Sequence, residues 1–167
     1  MVRQALFNIL EHNYIHNWHT VEVLDLFAGT GALGIEALSR GALKAIFVET
    51  HQSAVGVLEK NLASLGLIEK SEIIKAKIDA FSKRLLKVLE KHSFDLVLAD
   101  PPYSTGLSVK SLILIANTGC MKPGGVAVIE ESKGLELPRK FEGKKLELRL
   151  SDNRVYGQTA LWFYVPV

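Results

Sequence analysis

Asp100, Pro101, Pro102 and Tyr103 close the run FDLVLADPPY. Each proline fixes its own φ and restrains the residue before it, so the Asp100 carboxylate and the Pro101 carbonyl are aimed with little entropy left to lose. Two fixed acceptors side by side suit an exocyclic amino group, which offers two N–H donors, and Tyr103 suits stacking on the ring that carries it. A nitrogen held in this way can attack an electrophilic methyl group in line. Orientation and electrostatics then supply most of the rate, with Asp100 stabilising the positive charge that develops on nitrogen. The plain structural alternative is a turn that ends a strand.

A second stretch, DLFAGTGALG, raises the question of the other reactant. Gly29, Gly31 and Gly34 spell G-x-G-x-x-G, and Glu49 follows 20 residues after Gly29, as in a dinucleotide site where an acid holds the ribose. Asp25 argues otherwise, because an anion near the strand end opposes a pyrophosphate and attracts a cation. S-adenosylmethionine, with a sulfonium, an ammonium and no phosphate, fits that charge. Glu49 serves either cofactor. The candidate cofactor residues are therefore Asp25, Phe27, Ala28, Gly29, Thr30 and Gly31 around the turn, Glu49 and Thr50 at the next strand end, and Asp79 and Ala80 in KIDAF. Asp79 reads equally as a helix N-cap and as a contact for the adenine amino group.

These residues need a frame. Val21 to Phe27 reads as a strand ended by glycines, and Ala32 to Arg40 as a helix closed by Gly41. The pattern continues with strands Lys44 to Glu49, Glu72 to Lys75, Phe94 to Ala99 and Gly125 to Glu131. Between them come helices Ser53 to Leu67, Ala80 to Lys91 and Leu107 to Thr118. Alternation of this kind predicts a mainly parallel sheet covered on both faces, with ligands beyond the C-terminal strand ends. Lys144 to Leu150 and Thr159 to Val165 break the rhythm and are expected to pair as an antiparallel hairpin. Val2 to His12 spaces Ala5, Leu6, Ile9 and Leu10 as a helix face that can lie over the sheet.

The totals bound the answer. With 167 residues, 48% of them hydrophobic and 23% charged, the chain is long and apolar enough for one folded domain and is neither disordered nor fibrous. Lysine and arginine outnumber aspartate and glutamate by 20 to 18, too small a bias to signal nucleic-acid binding by itself. Cys120, the single cysteine, cannot form an internal disulfide, no apolar run has membrane-span length, and no signal-peptide pattern is present. A reducing, cytoplasmic compartment is expected.

The stretches DLFAGTGALGIEALSRGA, FVE, FDLVLADPPY, VRQALFNIL and RVYGQTALWFY together resemble the bacterial 16S ribosomal RNA guanine-N2 methyltransferases of the RsmD type, in order over nearly the whole chain. The resemblance implies an α/β, Rossmann-like class I methyltransferase domain with a mainly parallel seven-stranded sheet. It further implies S-adenosylmethionine as donor and the N2 of a guanine in small-subunit rRNA, naked or in an assembling 30S particle, as acceptor. Asp25, Gly29, Gly31, Glu49 and Asp79 then hold the cofactor, and Asp100, Pro101 and Tyr103 the amino group. Family members usually carry a basic N-terminal hairpin ahead of the first helix, and this sequence starts at that helix, so the hairpin is expected to be absent.

Substrate contact is expected from Arg154 and Tyr156 in the connection SDNRVYGQT, and secondarily from Arg3. Lys83, Lys87 and Lys91 with Arg84 form a basic helix face that reads as solvated surface. His12, His16 and His19 lack a closed ligand set, and no metal is expected. Glu130 and Glu131 read equally as pocket lining and as capping residues. A monomer is expected. The competing functions are an adenine or cytosine amino-methyltransferase of DNA, a nicotinamide-dependent oxidoreductase, and a non-catalytic RNA-binding subunit.

Overall fold

The computed structural model describes residues 2–79 and 82–167. Five Val/Ile/Leu-rich runs form parallel strands: β1 (Glu22–Leu26), β2 (Lys44–Glu49), β3 (Ser71–Lys75), β4 (Phe94–Ala99) and β5 (Met121–Ser132). In β1, β2, β4 and residues 125–129 of β5 nearly every side chain is buried on both faces, which is why they read as near-continuous apolar runs instead of alternating ones, while β3 at the sheet edge is mostly half-buried. Three antiparallel strands follow: β6 (Lys140–Glu142), β7 (Glu147–Tyr156) and β8 (Thr159–Pro166).

The strand order is β3-β2-β1-β4-β5-β8-β7-β6. It contains eight strands, not seven, because Lys140–Glu142 pairs with β7 and forms an outer edge. The order reverses between β1 and β4, where a crevice opens at the C-terminal ends of parallel strands. The final strand inserts beside β5.

Helices α1 (Val2–Asn13), α2 (Ala32–Ser39) and α3 (Gln52–Ser64) cover one face of the sheet, and α4 (Lys83–Leu89) and α5 (Leu107–Thr118) the other. The core is accordingly split in two by the sheet. A helix of 12 residues is marginal alone in water, so α1 owes its stability to Leu6, Phe7 and Leu10, all buried, each contributing about 1.5–3 kcal/mol. Arg40 fastens it to α2, pairing with Glu11 at 2.7 Å and Glu36 at 2.8 Å while its guanidinium lies over Phe7.

Two boundaries differ from expectation in ways that matter to the site. β7 does not end at Leu150 but continues to Tyr156, bulging between Leu150 and Asp152. The polar SDNR segment is strand because β8 supplies its backbone partners, and the turn is only Gly157 and Gln158. Helix α4 is capped by Ser82, whose hydroxyl accepts from Leu85 N at 3.5 Å, so Asp79 is not its N-cap. Among the described residues, no helix is long and apolar enough to cross a membrane.

Candidate active site

The first turn is built on three unusual conformations. Phe27 follows β1 with φ 60, and Gly29 and Gly31 have φ 56 and 92, left-handed values that only glycine adopts without strain. Gly31 N closes the turn on Ala28 O at 2.8 Å, and Ala28 N reaches across to Val48 O at 3.0 Å. Gly34 has a different duty. A Cβ there would overlap the Phe47 ring, so its absence lets α2 settle against the sheet.

Asp25 sits beneath this turn, 1% exposed, and its Oδ2 accepts the Gly34 amide at 2.8 Å. Burial pushes its carboxyl up to about 7 against the opposing Gly34 bond, and the charges of Asp100 and Glu49 add to the rise. Asp25 therefore feels both carboxylates that line the crevice above it.

Glu49, at the end of β2, receives Gly29 N on Oε2 at 2.8 Å and Thr50 N, His51 N and His51 Nδ1 on Oε1 at 2.7, 2.8 and 3.1 Å. Burial works to raise its carboxyl, but the donors from His51, Gly29 and Thr50 prevail and hold it below the usual carboxylate range. A carboxylate has about four lone-pair sites, so Oε2 keeps room for one further donor.

A cavity of about 530 Å³ opens between these groups and the β4 end. Its wall combines Phe27, the strand-end residues 48–51, residues 76–78 after β3, the tetrapeptide 100–103 and Leu107. Of the expected cofactor residues, Phe27, Glu49 and Thr50 line it. Asp25, Ala28, Gly29, Thr30 and Gly31 form the turn that shapes it, and Asp79 follows the lining residue Ile78. Ala80 lies outside the described residues. Sequence reasoning missed Val48, His51, Ala76, Lys77, Ile78 and Leu107. Position alone, at the ends of successive strands, is the signal that finds them.

At the opposite wall, Asp100, Pro101, Pro102 and Tyr103 are brought together as one surface of the cavity. Burial, then the Glu130 charge, pushes the Asp100 carboxyl up to about 6. The loop is fastened by consecutive residues of β5 that point to opposite faces of the sheet. Glu130 Oε1 takes the Tyr103 phenol proton at 2.7 Å, and Thr159 Oγ1 lies 2.9 Å from the same oxygen. Glu131, 1% exposed, accepts from Ser104 N at 3.2 Å, Ser108 Oγ at 2.6 Å, Ser132 N at 2.7 Å and Ser132 Oγ at 3.0 Å. Ser104 is held at φ 59. Glu131 is thus a loop anchor, and Glu130 stands just beyond the cavity wall.

The expected substrate residues are distributed unevenly. Tyr156 lies opposite Thr159 in the β7–β8 ladder and so neighbours Tyr103 through it. Arg154, two residues back on β7 and exposed, donates to Asp152 at 2.8 Å. Both therefore stand on a strand and not in a connection. Arg3 is exposed in the first turn of α1. Among the described residues no three His, Cys, Asp or Glu side chains group as metal ligands would.

A family model described as conserved hypothetical protein 95 matches residues 1–165. The chain belongs to this family. Within the family's range of relatives, it is 36% identical over 133 residues to the ribosomal RNA small subunit methyltransferase D of Haemophilus influenzae, covering 79% of this chain and 65% of that protein. The protein of the same name from Escherichia coli K12 is 31% identical over 163 residues, 98% of this chain and 75% of its own. The chain thus spans slightly less than two thirds of the length of the first curated relatives it matches. A solved Streptococcus pyogenes conserved hypothetical protein shares the fold with a TM-score of 0.78 and 29% identity, over 98% of this chain and 94% of the other. The resemblance to RsmD-type proteins is borne out, and the architecture is the class I methyltransferase fold. None of these findings favours an oxidoreductase or a DNA methyltransferase.

Proposed function

We propose that residues 1–167 act as a single methyltransferase domain that uses S-adenosylmethionine to methylate the exocyclic N2 of a guanine in small-subunit rRNA. The observation that carries the reading is the cavity with two ends: a rigid Asp100–Pro101 acceptor pair on one wall and Glu49 on the other. The names of the relatives support the rRNA acceptor.

The residues present fit this cofactor. Glu49 and Asp100 line the crevice with negative charge, and among the described residues Lys77 is the sole lysine or arginine of its wall, a balance that favours a cationic ligand over a pyrophosphate. Glu49 Oε2 accepts a ribose hydroxyl, and Phe27, Val48, Ile78 and Leu107 supply apolar walls of the kind such pockets need. Ala76, Lys77 and Ile78, with Asp79 following, border the base. When bound, S-adenosylmethionine supplies a methyl group on a sulfonium that a nitrogen lone pair can displace.

The chain's own residues do the rest. The Asp100 carboxylate and Pro101 carbonyl accept the two N–H bonds of the guanine amine and draw its lone pair out of conjugation. Tyr103 holds the ring, and Pro102 keeps the pair rigid. Asp100, ionised above about pH 6, stabilises the charge developing on nitrogen and is basic enough to receive the proton that the methylated cation sheds. Arg154, Tyr156 and Arg3 contact the RNA around the flipped base. Small-subunit rRNA or an assembling 30S particle is the partner, the cytoplasm the place of action, and a monomer the working unit.

Transfer of tritium from labelled S-adenosylmethionine to small-subunit rRNA and to assembled subunits, compared with DNA, tests this reading. Label is expected in rRNA. Label in DNA alone, or tight binding of NAD with none of S-adenosylhomocysteine, would overturn it.

A further inference from the structure

The DPPY acceptors alone do not select a base, since guanine, adenine and cytosine all carry an exocyclic amine. Something beside them must read the ring. Ala99 pairs with Ile129 in the β4–β5 ladder, so Asp100 and Glu130 are the next residues on two adjacent parallel strands. Glu130 is opposite Leu161, whose side chain packs in the core on the α1 side of the sheet, and this sets its direction. Its charge is felt by Asp100. Its Oε1 is taken by Tyr103, and among the described residues no donor meets its Oε2. Thr159 donates to the Tyr103 oxygen, since the single phenol proton goes to Glu130.

Resting on the methyl-transfer reading above, we propose that Glu130 is the specificity-determining residue, its carboxylate accepting the ring N1–H that adjoins the reacting amine of guanine. Guanine offers three neighbouring N–H donors along this edge, two on N2 and one on N1. Asp100 and Pro101 O beyond the end of β4 and Glu130 on the neighbouring β5 are three acceptors on two adjacent strands. In adenine and cytosine the ring nitrogen next to the amine is a bare lone pair, which would face the carboxylate and be repelled. The same carboxylate that orients the stacking ring of Tyr103 thereby rejects the wrong base, and the two roles share one side chain.

The test uses wild type, Glu130→Gln and Tyr103→Phe on small-subunit rRNA or reconstituted subunits, whichever form accepts label. The methylated position, located by mass spectrometry, is then occupied by guanine or by 2-aminopurine, which keeps the 2-amino group but has no N1–H. Wild type is expected to prefer guanine by at least about tenfold, the consequence of leaving an acceptor facing a lone pair. Glu130→Gln can still accept the phenol proton and can donate to N1, so the preference should collapse by a similar factor while S-adenosylhomocysteine affinity stays unchanged. Tyr103→Phe should slow both substrates and keep the preference. Equal rates on both bases in wild type, a preference untouched by Glu130→Gln, or a collapse caused equally by Tyr103→Phe would each defeat the assignment. Those outcomes leave guanine methylation standing, whereas no transfer to guanine by wild type overturns the parent reading and this one together.

Discussion

Asp25 Oδ2 accepts the amide proton of Gly34 at 2.8 Å and so joins the strand beneath the glycine turn to the first turn of the helix above it. The bond explains how a carboxylate can sit 1% exposed in an apolar core. One good donor offsets part of the burial cost, and the remainder appears as a carboxyl that holds its proton up to about pH 7.

That shift fixes the sign of a stability change with pH. The folded chain keeps the Asp25 proton from the ordinary value of 3.8 up to about 7, while the unfolded chain has released it. The group's contribution is therefore complete below about pH 4 and is lost as pH rises through about 7. Asp25→Asn keeps an acceptor for Gly34 and cannot ionise. Urea denaturation at pH 5 and pH 8 should show this variant gaining on wild type at the higher pH. Asp25→Ala, which strands the Gly34 amide, should lose about 1–3 kcal/mol at both.

Gly34→Ala should be poorly tolerated for a separate reason. The new methyl would overlap the Phe47 ring and stand 3.0 Å from Asp25 Oδ2. A loss of about 1–3 kcal/mol is expected, read as a lower Tm, with weaker binding of S-adenosylhomocysteine because α2 and its turn are displaced together.

For Asp100 the expected readout is the rate against pH. Only the carboxylate form accepts the amine protons and stabilises charge, so activity should fall as pH drops through about 6. Removing the neighbouring negative charge in Glu130→Gln favours ionisation of Asp100, so the midpoint of that limb should move to lower pH. Asp100→Asn should lower kcat by about 10²–10³-fold with S-adenosylhomocysteine binding retained, as isothermal calorimetry can check.

Glu131→Ala separates loop anchoring from cofactor binding. It removes the acceptor for Ser104, Ser108 and Ser132 without touching the cavity wall. The left-handed φ of 59 at Ser104 then loses the carboxylate that accepts its amide. A stability cost of about 1–3 kcal/mol and a fall in kcat are expected, with cofactor affinity unchanged. Ser108→Ala, which deletes one of the four donors, should show a smaller loss.

Much of the fold was legible because its central strands are apolar runs with sharp ends. Lys44–Glu49, Phe94–Ala99 and Leu107–Thr118 carry the bounds read from sequence. β7 was not, because Ser151 to Arg154 has the composition of a loop. Its strand conformation comes from pairing with β8 at an exposed part of the sheet, a tertiary cause that propensity does not see. The β6 edge was missed for the same reason. In the site, the DPPY and glycine stretches announced themselves through proline and glycine chemistry. The work of Glu130 and Glu131 did not, since their partners in the tetrapeptide loop lie 27 residues away and the two side chains divide between opposite faces of the sheet.

The insertion of β8 between β5 and β7 has a consequence for partial opening of the molecule. β6 and β7 hydrogen-bond to the sheet only through β8, whose Leu161, Trp162, Phe163 and Tyr164 are buried in the two cores, so any opening that parted β8 from β5 would detach all three strands together. Such an excursion carries off Thr159 and Tyr156 and exposes the edge of β5, yet leaves the β1, β2 and β4 ends undisturbed. On the function proposed above, the resulting species would keep its donor pocket and lose its grip on the acceptor.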